Sequence, residues 1–169
     1  MRTIEDLTVP ELIERLAAED TDTVVEAADE IGRRRATEAA PRLLELLRLT
    51  PEATIRNATA LALSDMEMPE AFDSIAELLR DPSTEGHRGT LLYALDPYDC
   101  LPILELLIDL ALTGGYEVRM SALGLISGIE GDIDEEIWDR VRARLEAAAA
   151  TAGKERRTEV IDPLLEMFS

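Results

Sequence analysis

The chain has 169 residues, 46% hydrophobic and 31% charged, which suits one folded domain with a sizeable core. Its 36 acids against 17 lysines and arginines give a formal net charge of −19. That balance excludes the basic footprint a nucleic-acid binder needs, disfavours an anionic membrane surface, and suits a basic protein or peptide partner.

Leucine and alanine supply most of the apolar content, and aromatic residues only 4%. Those two are helix formers, and strand-favouring residues are sparse, so the fold class expected is all-α. The opening "MRTIEDLTVPEL" carries acids and no apolar core, which predicts no signal peptide. Cys100 has no second cysteine to pair with. Both features fit a cytoplasmic protein.

In chain order, residues 1–19 read as an N-terminal cap helix around "LIERL" (12–16). Four units follow, at 20–50, 51–82, 83–114 and 115–152, and each divides into a helix A and a helix B. The A segments are "VVEAADEIG" (24–32), "IRNATALAL" (55–63), "HRGTLLYAL" (87–95) and "VRMSALGLI" (118–126), beginning 31, 32 and 31 residues apart. Offsets 0, 3, 4 and 7 in each form one helical stripe of mostly small residues, which lets neighbouring helix axes approach closely. The B segments are "LLELL" (43–47), "IAELL" (75–79), "ILELL" (103–107) and "IWDRV" (137–141). Residues 153–169 end the chain as a C-terminal cap, predicted to break near Pro163 and carrying "LLEMF" (164–168).

Punctuation falls between the copies. Thr50-Pro51, Met68-Pro69, Asp81-Pro82, Asp96-Pro97 and Gly114-Gly115 mark turns or helix starts. "LPILELLIDLAL" (101–112), the most apolar run, is too short to span a bilayer and contains Glu105 and Asp109. The third unit departs from the rest, since "EGHRGT" places Gly86 and Gly89 in its helix A.

A helix pair of this size cannot bury its apolar faces alone, but stacked neighbours can. The "IR" of Ile55-Arg56, the "VR" of Val118-Arg119 and the Pro-x-Leu-Leu-Glu-Leu-Leu opening at Pro41 together resemble the HEAT-repeat family. The likeness is nearest to the short bacterial repeats named after phycobilisome lyases, and covers residues 20–150 best. It implies an α-solenoid: a right-handed superhelix of antiparallel helix pairs, about four repeats with capping helices, in a single domain over 1–169.

In "PRLLELLRL" (41–49), Leu44 and Leu46 lie about 100° to either side of Glu45, with Leu43 and Leu47 behind it. One narrow polar strip is left to solvent, and by the HEAT resemblance it lies on the concave side. The stack would set Glu14, Glu45, Glu77, Glu105, Asp139 and Glu166 into a row, as a recognition groove or as a solvated face. The candidate partner-binding residues are therefore Glu45, Asp73, Glu77, Glu105, Asp109, Glu135 and Asp139. Trp138 joins them as an anchor if exposed, although its position in the repeat predicts core. Arg48, Arg80 and Arg142, three residues past three of the acids, are placed to pair with them.

Catalytic chemistry finds little footing. His87 is the sole histidine and takes a stripe position filled elsewhere by Val or Ile, so it reads as structural. It leaves too few ligands for a usual zinc site, and there is no Ser- or Cys-His pairing to suggest. No His-Glu dipeptide marks a di-iron site of the HEAT-like hydroxylase kind. "EGDIDEEIWD" (130–139) is acid-rich, but counting from Asp132 puts Ile137 and Ala143 where an EF-hand needs glycine and an acid. No cofactor or metal is expected.

The expected function is a non-catalytic protein-interaction module, either an inhibitor or immunity-type protein or an assembly adaptor. The alternatives are an accessory enzyme resembling a bilin lyase and a structural solenoid that self-associates. Oligomeric state is left open.

Overall fold

The computed structural model describes residues 3–169, and these form helices, turns and bends with no strand among them. The first two residues of the expected N-terminal cap lie outside that range. The chain divides into two compact units, Met1–Tyr98 and Asp99–Ser169. The boundary falls inside the third expected repeat, between its two helices.

The first unit comprises α1 (Val9–Arg15), α2 (Thr21–Arg34), α3 (Ala40–Leu49), α4 (Ala53–Asp65), α5 (Pro69–Arg80) and α6 (Arg88–Tyr93). The A helices α2, α4 and α6 pack in succession, and the B helices α3 and α5 lie against them and each other. Each start has a local cause. At α1, the Glu11 carboxylate accepts from the Thr8 amide at 2.6 Å. At α2, the Asp20 carboxylate accepts from the Thr23 hydroxyl at 2.7 Å and the Thr23 amide at 2.9 Å, which lowers its pKa. Pro69 opens α5, where its missing N–H costs nothing.

The first two A helices, α2 and α4, end alike. Arg35 and Glu67 both adopt left-handed φ, at 51° and 53°. Behind α2 the Arg35 amide donates to Gly32 O and the Ala36 amide to Ile31 O; behind α4 the Glu67 amide donates to Ser64 O and the Met68 amide to Leu63 O. These reciprocal bonds satisfy carbonyls that a helix end would otherwise leave open. The Tyr98 hydroxyl then donates to Met68 O at 3.0 Å and fixes the next turn onto this one. Burial, assisted by Glu67 and Glu70, pushes that phenol up to about 12.

The small-residue stripe places α2 and α4 in close contact. Val24, Ala27, Ala28, Ile31, Ala58, Thr59 and Ala62 are all buried. Gly32 marks the nearest approach, because a Cβ there would sit 2.8 Å from the Ala62 Cα. Beside this seam Glu30 is buried with 6% of its surface exposed. It accepts from Arg33 at 2.6 and 2.7 Å and from Arg34 at 2.6 Å. Arg34 also donates to Leu7 O at 2.6 Å and Glu5 O at 2.9 Å, tying the N-terminal segment to α2.

The third A helix corrects two expectations. Gly86 takes φ +89°, a conformation that favours glycine, and the helix begins only at Arg88. His87 is thus an exposed N-cap with φ −128°, and does not join the buried stripe.

The second unit comprises α7 (Leu104–Thr113), α8 (Tyr116–Ser127), α9 (Glu135–Thr151), α10 (Lys154–Arg156) and α11 (Asp162–Met167). Both α8 and α9 pack on α7, and α11 returns onto α9. The tail does not break at Pro163. A π-helical stretch, Arg157–Ile161, links α10 to α11 directly. The wider π turn accommodates a ring that would clash with the carbonyl four residues back in a regular helix. Val160, Ile161, Leu164 and Phe168 are buried by this tail.

The Glu30 cluster yields a prediction with a defined pH window. Its hydrogen bonds from Arg33, against the cost of burial and with help from Arg34, hold the Glu30 carboxyl down from 4.5 to about 2. A depressed pKa gives stability that is complete above 4.5 and lost as pH falls toward 2. Glu30→Gln should cost about 1–3 kcal/mol in urea unfolding at pH 7. The gap between wild type and variant should close progressively below pH 4.5.

Candidate functional site

On the B helices, the alternation of buried leucines and outward acids follows the sequence. Leu43 and Leu47 are fully buried, Leu44 and Leu46 half-buried, and Glu45 exposed. Glu14, Glu77, Glu105, Asp139 and Glu166 are exposed as well.

In the first unit, α3 and α5 bring Glu45, Asp73 and Glu77 to their outer surfaces. Arg42 pairs with Glu45 at 2.5 Å. Arg48 crosses to α5, where its Nε donates to the buried Ser74 hydroxyl at 2.9 Å. A shallow cavity of about 180 Å³ lies there, lined by Arg48, Ser74, Glu77, Leu78 and Asp81. Asp73 and Glu77, four residues apart and so on one helix face, have no cation within 4 Å among the described residues. Asp81 is committed elsewhere: its carboxylate accepts from the Ser83 amide at 2.8 Å, which lowers its pKa.

In the second unit the acids face arginines of the chain itself. Arg140 on α9 makes two bonds to Glu105 on α7, at 2.8 and 3.2 Å. Arg144, one turn on, pairs with Asp109, one turn past Glu105. Two acids and two arginines at the same four-residue spacing thus form two rungs between parallel faces. The Arg140 hydrogen bond, opposed by slight desolvation, lowers the Glu105 pKa. Glu135 and Asp139, in the first turns of α9, are exposed and form no such rung among the described residues.

Trp138 is half-buried, short of the core position expected of it. Its ring packs on Phe168 with centroids 4.9 Å apart and planes tilted by 58°. Only the folded tail provides that contact, so its position in the repeat gave no sign of it.

The expected arginine pairings are corrected. Arg48 bonds Ser74 and leaves Glu45 to Arg42, while Arg142 pairs with Glu146 at 3.1 Å. Arg80 forms no ion pair within 4 Å among the described residues. A B helix packs against the next B helix, so an arginine one position past the central acid, such as Arg140, reaches across the seam. Sequence reasoning missed Arg140 and Arg144 because it compared partners within one helix.

No group of His, Cys, Asp or Glu able to hold a metal ion occurs among the described residues, and no helix there is long and apolar enough to cross a membrane.

A family model described as HEAT repeats matches residues 9–96, just over half of the chain. The chain therefore belongs to the HEAT-repeat family, in accord with its all-α architecture and with the α-solenoid class expected from the sequence. HEAT repeats generally serve as protein-interaction scaffolds. No curated protein sequence matches the chain.

The rungs make a measurable prediction. A double-mutant cycle of Glu105→Ala and Arg140→Ala, read by urea unfolding, should give a small favourable coupling, since both groups are half exposed. It should shrink in high salt.

Proposed function

We propose that this chain is a non-catalytic interaction module whose B-helix acids receive a basic protein or peptide. The observation that carries the reading is the division of the acids into two sets. Glu45, Glu105 and Asp109 are matched by Arg42, Arg140 and Arg144. Asp73, Glu77, Glu135 and Asp139 are exposed at four-residue spacing with no such cation among the described residues. Carboxylates already paired gain little from a partner's lysine or arginine, whereas uncommitted ones gain a charge-assisted hydrogen bond. Asp73 and Glu77 on one helix, and Glu135 and Asp139 on another, are the contact points of this reading, with Trp138 at the edge of the second pair.

In this reading the exposed strips of the B helices provide the contact surface within each unit. The net charge of −19 draws a basic partner in and raises its association rate. An inhibitor of a basic protein and an assembly adaptor both use such a surface, in the cytoplasm of the cell that makes the protein.

Replacing Asp73, Glu77 and Asp139 together by lysine tests the reading. Helicity and melting should stay nearly unchanged, because exposed substitutions cost within about 0.5 kcal/mol each. A pull-down from host lysate at low and high salt, with wild type beside this variant, should retain a basic protein on wild type alone and release it with salt. Retention of the same protein by both baits would contradict the reading.

A further inference from the structure

Along α8 a row of exposed residues runs at four-residue spacing: Tyr116, Met120, Gly124 and the C-cap Gly128. Tyr116 and Met120 are large, with 72% and 51% of their surface exposed. At Gly124 an added Cβ would meet nothing within 4 Å. One half of the row is therefore raised and the other recessed. The aligned row in α2 is charged throughout: Asp22, Glu26, Glu30 and Arg34. There the N-terminal segment covers Arg34, which donates to Leu7 O and Glu5 O. A helix face that carries charge in the first repeat thus carries none at these four positions in the fourth.

We propose that α8 of a second copy of this chain covers the row, giving a weak two-fold dimer. A row at i, i+4 spacing is the ridge by which packed helices most often interlock, crossing at about −50°. A two-fold axis between Met120 and Gly124 sets each copy's Met120 over the other's Gly124, and each Tyr116 over the other's Gly128. The raised half meets the recessed half twice, which is the self-complementarity that a two-fold contact requires. A basic partner gains nothing from four uncharged residues, whereas a second copy matches them in shape and spacing. The row and its margins expose on the order of 400 Å² per copy, a size typical of contact patches. Two copies then bury about 800 Å², below the ~1,200 Å² of stable complexes, so the dimer forms at high concentration and parts on dilution. The charge of −19 on each chain opposes association, and salt screens that repulsion.

Sedimentation of the full chain over a concentration series, at low and high salt, tests this. The mass should rise with concentration toward a dimer and no further, and high salt should favour the dimer. That salt response is opposite to the one expected of a basic partner held by acids. Met120→Glu and Gly124→Lys should each weaken association at least ~tenfold, with helicity unchanged. Mixing the two variants should restore a dimer, because one glutamate then faces one lysine and the other crossing stays as in wild type. Leu49→Glu, at an exposed leucine on α3, should dimerise as wild type does. The proposal is overturned if wild type stays monomeric at every concentration, if salt weakens the dimer, or if both α8 variants associate as wild type does. Loss of the dimer in Leu49→Glu, or a mixture that stays monomeric, overturns it as well.

Discussion

The structure depends on one close approach between helices. A helix pair of about 31 residues has too little apolar surface to fold by itself, and its A helices must lie nearly in backbone contact to stack. The α2–α4 seam shows how this is met: Ala27, Ala28, Ala58 and Ala62 are buried, and Gly32 removes the last side chain from a gap that a Cβ would close to 2.8 Å. The left-handed residues Arg35 and Glu67 then turn the chain out of α2 and α4 in the same way. With α2 and α4 fixed so tightly, the B helix α3 is buried along its back and half-buried on its flanks, and the strip at Glu45 is left outside.

That enclosure explains why an acid recurs inside otherwise leucine-rich helices. The position is the one place on the helix where a charge stays solvated, and at −19 overall the chain fills it with glutamate or aspartate. The two units then treat these acids differently. In the second, α9 supplies Arg140 and Arg144, which span to α7; in the first, α5 carries Leu78 at the position that corresponds to Arg140, and its acids Asp73 and Glu77 stay uncommitted. A repeat protein can thus keep one backbone pattern and vary its surface charge helix by helix.

Much of this was legible in the sequence because it is periodic. The stripe, the B-helix acids and the proline-marked starts recur at fixed spacing, and a helical period converts spacing directly into a face. What was not legible depends on contacts between elements. His87 sits at a stripe position by alignment, but Gly86 delays the helix and leaves it at the cap. Pro163 predicts a break, and a π turn absorbs it. Trp138 owes its half-burial to Phe168, thirty residues away, and the arginine rungs connect helices whose register no local pattern records.

The most direct test of the stacking account compares one substitution at two glycines within helices. Gly32 and Gly124 both lie in A helices, at α2 and α8, and neither has positive φ. A Cβ at Gly124 would meet nothing within 4 Å, whereas at Gly32 it would press on the Ala62 backbone. Helix propensity favours alanine at both sites by about 0.5–1 kcal/mol. Urea unfolding should therefore find Gly124→Ala more stable than wild type and Gly32→Ala less stable. Equal stabilisation by both would contradict the account, because it would mean that the α2–α4 contact does not constrain the stack.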